Sequence, residues 1–198
     1  MKIFILLSFI CGCLALPAFA QTHNLNTPLI EEINAMYKDD QFWRLEDMKA
    51  GRKQKSTYSA DDIQKNWATA DSINEIKAKA IIKKYGYPGY TLVGKDASQG
   101  FWAIIQHCDD DVLFQKLVLA LMKKEVDRKN ASKSNYALLT DRILVSTKQK
   151  QIYGTQLSKD LKTNKLTPFP LKYPDQVDKL RKQMDLEPLA DYIKSFER

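Results

Sequence analysis

Apolar residues recur at three- and four-residue spacing along most of the chain, and this period is typical of amphipathic α-helices. The pattern predicts five longer helices followed by two short ones near the C-terminus. Their expected ranges are 27–49, 59–85, 97–107, 111–126, 135–146, 174–184 and 188–196. The second helix is expected either to continue through Ala70 or to break there. The predicted fold class is therefore all-α, a single compact multi-helix domain.

Local signals place some of the helix ends and the segments between them. Thr27 before Pro28 predicts an N-cap, and Ser59 with Asp62 predicts a capping box. The turn residues of 86–89 (GYPG) end the second helix, and 91–94 (TLVG) is expected to be short and extended, as is 168–174. Residues 151–156 (QIYGTQ) are expected to form an irregular or extended segment that bends at Gly154.

The first twenty residues have the organisation of a signal peptide. Lys2 precedes an apolar run, and Ala18-Phe19-Ala20 has the small-x-small form that precedes a cleavage site. We expect export to the periplasm or the cell exterior, with residues 21–198 forming the domain. The alternative is a lipoprotein anchored through Cys13.

The charge of the chain is basic but not concentrated. The net charge of +7 is spread over lysines along the whole length, without the basic and aromatic interleaving that is typical of nucleic-acid binding. Nucleic acid is therefore not an expected partner, and no span is expected to cross a membrane once the signal peptide is removed. Cys108 is the only cysteine after residue 20. We expect its side chain to be a small, buried hydrophobic group rather than a reactive thiol.

Polar residues interrupt the predicted interior stripes of several helices. Asp40 and Arg44 fall on that of the first helix, and Asp71 and Asn74 on that of the second. A buried polar group is costly unless it is paired or faces a cavity. The same reasoning selects Gln106, His107, Asp111, Gln115, Asp141 and Arg142.

Two interpretations of these residues remain open. In the structural one, Asp40 pairs with Arg44, Asp111 caps the fourth helix, Arg142 pairs with a carboxylate (Asp141 or Asp71) and His107 bonds a loop carbonyl. In the functional one, the polar groups converge on a cleft.

The cleft would be built from two sets of side chains. Asp40, Arg44, Asp71 and Asn74 would line it or lie directly behind its wall. The other expected lining residues are Gln106, His107, Gln115, Asp141, Arg142, Gln151, Tyr153, Thr155 and Gln156.

The chemistry that these residues allow is limited. No GxSxG motif and no Gly-rich phosphate loop occurs, and two histidines are too few to suggest a zinc site. We therefore expect no metal and no cofactor. General acid–base chemistry by His107, oriented by Asp111 or Asp141, and anion recognition by Arg142 or Arg44 remain.

Several short motifs in order resemble a bacterial family of unknown function, DUF6624. They are GYPG at 86–89, VG at 93–94, QH at 106–107 with Asp111 and FQ at 114–115, DR at 141–142, and QxYGTQ at 151–156. The resemblance extends over about residues 30–192 and implies an activity that is not assigned. Family members often have Pro after the aspartate that matches Asp111, where this chain has Val112, and a Pro there would suit the first turn of a helix capped by Asp111.

Three functional hypotheses follow, and the sequence does not decide whether the protein is an enzyme. The leading hypothesis is an exported protein that binds a small polar or anionic ligand in a cleft lined by His107, Asp141, Arg142 and residues 151–156. The second is a hydrolase or transferase of the cell envelope that uses His107 as general acid or base. The third is a non-catalytic partner-binding or scaffolding protein.

Overall fold

The structure is a computed structural model that describes residues 24–196 except 53, 161 and 164; the predicted signal peptide and Cys13 lie outside this part. It is a compact, mostly helical domain, which confirms the predicted fold class. The α-helices are α1 (Thr27–Gly51), α2 (Ala60–Tyr85), α3 (Tyr90–Gln106), α4 (Val112–Asp127), α5 (Lys133–Ser146), α6 (Val177–Gln183) and α7 (Leu189–Ser195). A small antiparallel hairpin of β1 (Leu157–Lys159) and β2 (Leu166–Pro168) lies between α5 and α6. None of the described helices combines the length and apolar character needed to cross a bilayer.

Helix α3 is the centre of the core. It packs against α1, α2, α4 and α5. Its buried side chains include Phe101, Trp102, Ile104 and Ile105, which are the residues that its apolar pattern predicts. The burial of this helix on several sides explains why its sequence is apolar almost all round.

Helix ends agree with the sequence pattern in some places and differ in others. The Ser59 side chain accepts a hydrogen bond from Asp62 N, as the capping box predicts, and α2 continues without a break through Ala70. The N-cap of α1 is Asn26 rather than Thr27, because the Asn26 side chain accepts from the Leu29 amide.

Residues 91–94 are helical, which corrects the prediction of an extended segment. Helix α3 begins at Tyr90, seven residues before the predicted start, and Gly94 kinks it with a φ of 77°. A positive φ of this size is unfavourable for residues that have a Cβ atom, whereas glycine adopts it without steric cost. The kink joins two helical pieces, so the turn-like composition of TLVG marks a bend and not a strand.

Three large apolar residues that the helical period would place in the interior are exposed. Tyr37 and Met48 of α1 and Leu117 of α4 all fall outside the buried faces of their helices. The buried face of α4 is formed by Phe114, Val118 and Met122, and Leu117 is displaced from that face by the helical period.

The segment 151–156 is irregular, as predicted, and is folded around the buried carboxylate of Asp141. Asp141 lies on α5 with 0% of its surface exposed. Its carboxylate accepts hydrogen bonds from the amides of Ile152 (2.7 Å), Tyr153 (3.1 Å) and Thr155 (3.0 Å), and from the Thr155 hydroxyl (3.1 Å). Burial raises the pKa of Asp141, and these donors act in the opposite direction.

The opposite side of the same segment faces a buried cation. Arg181 of α6 is also 0% exposed, and its Nη1 donates to the carbonyl of Tyr153 at 2.8 Å. The hydroxyl of Tyr192 on α7 donates to the carbonyl of Thr155 at 2.9 Å. The peptide groups of 152–155 therefore connect α5, through their amides, to α6 and α7, through their carbonyls.

Asp141→Asn should destabilise the fold by ~2–4 kcal/mol, because the new amide NH₂ would face backbone donors that need an acceptor. Urea unfolding followed by circular dichroism measures this loss. The control is Asp127→Asn, which changes an exposed carboxylate of α4 that pairs with Lys123 of the same helix. A loss for Asp141→Asn no larger than that of the control would contradict a structural role for the carboxylate.

Cys108 should be unreactive in the folded protein. It is buried among core residues, and desolvation raises the pKa of its thiol to about 12. Because the thiolate is the reactive form, alkylation at pH 8 should require unfolding. Peptide mass mapping after iodoacetamide treatment, with and without urea, measures this; rapid labelling of Cys108 without urea would refute the prediction.

Candidate functional site

His107 is placed by the end of α3, where the chain turns before α4. It is the C-cap of α3, and the turn 108–111 separates it from α4. Asp111 is the N-cap of α4, since its Oδ1 accepts from Phe114 N at 2.9 Å. The turn means that His107, Asp111 and Gln115 do not share one helical face, so the face expected from a continuous helix does not form.

His107 contacts α1 through a buried carboxylate. Its Nδ1 lies 2.8 Å from Oδ1 of Asp40, which is 1% exposed, and its Nε2 accepts from Nε of Arg44 at 3.3 Å. Because the guanidinium can only donate, this arrangement assigns the proton of the ring to Nδ1. Asp40 therefore orients the imidazole, and Arg44 covers the nitrogen that would otherwise act as a base. The partner of His107 is a carboxylate, not the loop carbonyl of the structural interpretation.

Arg44 joins α1 to α2. Its Nη1 and Nη2 donate to the two carboxylate oxygens of Asp71, each at 3.2 Å, and its Nη2 lies 3.4 Å from Asp40. The guanidinium carbon lies 4.7 Å from the ring centroid of Trp67, whose Nε1 donates to Asp71 at 2.8 Å. The predicted ion pair of Asp40 with Arg44 is thus one part of a larger network. Bidentate pairing and stacking are interactions that suit arginine better than lysine.

Arg142 of α5 forms a second network with a residue that the sequence did not single out. Its Nε donates to Oδ1 of Asp109 at 2.8 Å, and its Nη2 donates to Oδ2. Burial disfavours ionisation of Asp109, but the hydrogen bond and charge of Arg142 hold the pKa of Asp109 below its usual value. The fully buried amide of Gln115 also donates to Asp109, at 3.3 Å. The partner of Arg142 is therefore neither Asp141 nor Asp71.

The two networks border one cleft of about 670 Å³. Its wall includes His107 and Arg142, two residues that the sequence analysis expected to share a hollow. The lining residues are Arg44, Gln64, Trp67, Ala68, Asp71, Ser72, Glu75, His107, Asp109, Asp110 and Arg142.

Carboxylates outnumber cations in the cleft. The lining holds four carboxylates and two guanidiniums, and each guanidinium already has a carboxylate partner. Behind the lining, Asp40 and Asp111 add two carboxylates, whereas Lys79 adds one ammonium group, which bonds Glu75 and Asp111. The hydrogen bond from Lys79 holds the pKa of Asp111 below its usual value. The cleft is thus locally acidic on a basic protein.

The other predicted site residues lie elsewhere. Asp141, Gln151, Tyr153, Thr155 and Gln156 belong to the cluster around the irregular segment and do not line the cleft. Asp141 and Arg142 are neighbours on α5, and successive helical side chains point about 100° apart, so one residue holds the segment and the other faces the cleft.

Two further predicted residues, Asn74 and Gln115, support the walls from behind. Asn74 donates to the carbonyl of Met36 at 3.1 Å and ties α2 to α1. Gln115 donates to the carbonyls of Ile105 and Gln106, at 3.2 and 3.4 Å, and so holds the end of α3 against α4. The side chain of Gln106 is not part of the lining.

Sequence reasoning missed part of the wall. The helical period of α2 predicts Trp67 only as an apolar residue of its stripe, and the polar pattern after α3 selects Asp111 but neither Asp109 nor Asp110. The run of three aspartates directly after His107-Cys108 is the signal that could have found them. Glu75 lies four residues after Asp71 on the same face of α2, which is a second such signal.

No metal centre is recognisable in the part of the chain that the structure describes. Among the described residues, no group of three or more His, Cys, Asp or Glu side chains has an arrangement suited to holding an ion. What the cleft offers is an imidazole, an indole, two paired guanidiniums and several carboxylates. These are hydrogen-bonding groups for a polar molecule.

Comparison with known proteins identifies the family of this chain but not its chemistry. No curated protein and no solved structure shows a significant match. The profile of a family of unknown function, DUF6624, matches residues 27–198, which includes every element of the fold described above. The chain therefore belongs to DUF6624.

Proposed function

We propose that the protein binds a small polar ligand with a positively charged group, such as an ammonium or guanidinium, in the cleft beside His107. The observation that carries this proposal is the excess of carboxylates over cations in the lining. Asp110 of the lining has no ion pair within the described part of the chain, so a cationic group that enters the cleft can pair with it without breaking an existing ion pair.

An anionic ligand fits the same geometry less well. To reach Arg44 it would have to replace Asp71, and to reach Arg142 it would have to replace Asp109. Each displaced carboxylate would stay in the cleft, next to the new negative charge. For this reason the charge expected of the ligand changes from anionic to cationic, while its size and polarity stay as the sequence suggested.

The remaining wall residues supply orientation. Trp67 presents an aromatic surface next to Asp71, and an amide and a hydroxyl are offered by Gln64 and Ser72. Aromatic and carboxylate groups side by side recognise cations by combined cation–π and ionic attraction. Arg44, stacked on Trp67, already makes this contact within the protein.

We further infer that this binding takes place outside the cytoplasm. The support is the signal-like sequence of residues 1–20. N-terminal sequencing of the exported protein tests the inference, with Gln21 as the expected first residue.

The charge preference can be measured with simple probes. Methylguanidinium and ethanolammonium should shift the NMR signals of the Trp67 indole and the His107 ring, whereas acetate and inorganic phosphate should leave them nearly unchanged. Asp110→Asn removes the lining carboxylate that has no ion pair within the described part of the chain, and it should weaken cation binding by about three- to tenfold. Glu32→Gln, at an exposed position of α1, is the matched control and should bind as wild type. Stronger shifts with phosphate than with methylguanidinium would overturn the proposal.

A second candidate function, acid–base catalysis by His107, is favoured by its contact with Asp40. A buried carboxylate that holds Nδ1–H leaves Nε2 as the reactive nitrogen. In this candidate function Asp40, and not the expected Asp111 or Asp141, would orient the imidazole of His107. In the observed state Nε2 accepts from Arg44, so a substrate would have to replace that contact before His107 could act as a base.

The reactivity of His107 Nε2 is measurable without a substrate. Diethyl pyrocarbonate should modify His107 slowly in the wild-type protein and several-fold faster in Arg44→Met, because the variant no longer donates to Nε2. Mass mapping measures both rates, and His23 of the same chain serves as internal reference. Equal rates in the two proteins would show that Arg44 does not cover the nitrogen.

A further inference from the structure

The chain between α5 and α6 carries positive charge without counter-charge. Residues 148–173 contain six lysines, no arginine and a single carboxylate, that of Asp160. This carboxylate accepts from the backbone amides of Lys162 and Thr163, at 2.8 and 2.9 Å. All six lysines are exposed, and within the described part of the chain none of them forms an ion pair. The lysines that do form ion pairs there lie outside this stretch, and they are Lys49, Lys79, Lys123 and Lys133.

Three of these lysines lie at a groove of about 450 Å³ next to the β-hairpin. Its wall consists of Val145, Lys148, Gln149, Lys150, Phe169 and Pro170. Lys172 lies beside it, because Gln151 and Leu171 form a parallel bridge. Gln151 is fully buried and Leu171 packs towards Gly154, so both side chains point inward. In extended backbone the next residues, Lys150 and Lys172, therefore point outward.

Two aromatic rings lie among the lysines. Phe169 is 38% exposed and Tyr173 is 42% exposed, and Nζ of Lys172 lies 5.3 Å from the centroid of the Tyr173 ring. Phe169 stands between Pro168 and Pro170, whose fixed φ angles stiffen the backbone, so little conformational freedom is lost when a partner covers the ring. We call the surface formed by these rings and lysines the basic face; it consists of Lys148, Lys150, Phe169, Lys172 and Tyr173.

We propose that the basic face binds the surface of a bilayer that contains anionic phospholipids, such as phosphatidylglycerol. Ammonium groups attract lipid phosphates without a fixed geometry, and each one near the surface strengthens binding by about fivefold. The rings of Phe169 and Tyr173 suit the boundary between headgroups and acyl chains. A polyanion without an apolar part would pair with the lysines but would leave Phe169 and its groove in water. A lipid surface uses both features of the face.

Nucleic acid also joins phosphates to rings, but it suits the basic face less well. The face has no arginine, the side chain that binds phosphate bidentately and stacks on bases. None of the residues of the basic face lines the cleft beside His107, so this inference does not rest on the proposed ligand.

Vesicle co-sedimentation tests the proposal. The protein used is residues 21–198, which include every described element of the fold, because the apolar run of residues 1–20 would itself bind lipid. It should bind phosphatidylglycerol vesicles but not phosphatidylcholine vesicles, and added salt should weaken the binding. Circular dichroism checks that this protein and each variant below are helical.

Two triple variants separate the basic face from the overall charge. Lys148→Gln/Lys150→Gln/Lys172→Gln should lower the affinity for phosphatidylglycerol vesicles by at least about tenfold. The matched control removes the same charge from exposed lysines of α1 and α2 and should lower the affinity by less than about threefold. This control is Lys38→Gln/Lys65→Gln/Lys77→Gln.

A third variant tests the contact with the apolar part of the bilayer. Phe169→Ser should weaken vesicle binding by about three- to tenfold. Phe42→Ser is its matched control, because Phe42 is a 39% exposed phenylalanine of α1, and it should bind as wild type.

Four results would overturn the proposal. They are an absence of binding to phosphatidylglycerol vesicles, equal losses in the two triple variants, wild-type binding by Phe169→Ser, and tighter binding of a single-stranded oligonucleotide through the same three lysines. The last result would assign the basic face to nucleic acid.

Discussion

The carboxylate of Asp141 is fully buried, and a buried charge is tolerated only when hydrogen-bond donors replace the water that it has lost. Here every donor comes from one short segment, 152–155, whose amides converge on the two oxygens. The carbonyls of the same segment point the other way and are met by Arg181 and Tyr192. The amides of the segment therefore bind a carboxylate of α5, and its carbonyls bind side chains of α6 and α7. These hydrogen bonds attach the two C-terminal helices to α5.

The same constraint operates at the cleft, with a different result. Asp40 is buried to nearly the same degree as Asp141, but its partners are the side chains of His107, Arg44 and Gln41, all of which are partly exposed to solvent. Satisfying a buried carboxylate with long polar side chains, and not with backbone, leaves functional groups at a surface. This difference explains why one polar cluster is structural and the other lines a cavity.

The electrostatics of the cleft follow from how its arginines are used. Arg44 and Arg142 each form an ion pair with a carboxylate. Because their charges are neutralised in this way, they add hydrogen-bond donors to the wall but little net positive charge. The proposed ligand would therefore meet mainly carboxylates that the arginines do not neutralise. This acidic cleft lies on a protein whose overall charge is +7. A local field opposite to the global one concentrates cations at the cleft.

Much of the architecture was readable from the sequence because it depends on local pattern. The helical period, the Ser59 capping box, the role of Asp111 as an N-cap and the irregular segment at 151–156 are consequences of residues within a few positions of one another. Periodicity also identified Asp40, Arg44, Asp71, His107, Asp141 and Arg142 as polar groups in unusual places. It failed at 91–94, where a glycine bends a helix and does not end it.

Which of those polar groups meet is a property of the tertiary structure alone. Asp40 and His107 are 67 residues apart, and Arg142 and Asp109 are 33 apart, so no spacing rule connects them. Asp141 and Arg142 are adjacent in sequence yet belong to different clusters, because the α-helix turns neighbouring side chains in different directions. The sequence by itself determined the helices and the polar groups that needed partners. Only the packing of α1, α2, α3 and α5 decided which partners they found, since burial and distance are set by how helices far apart in the chain come together.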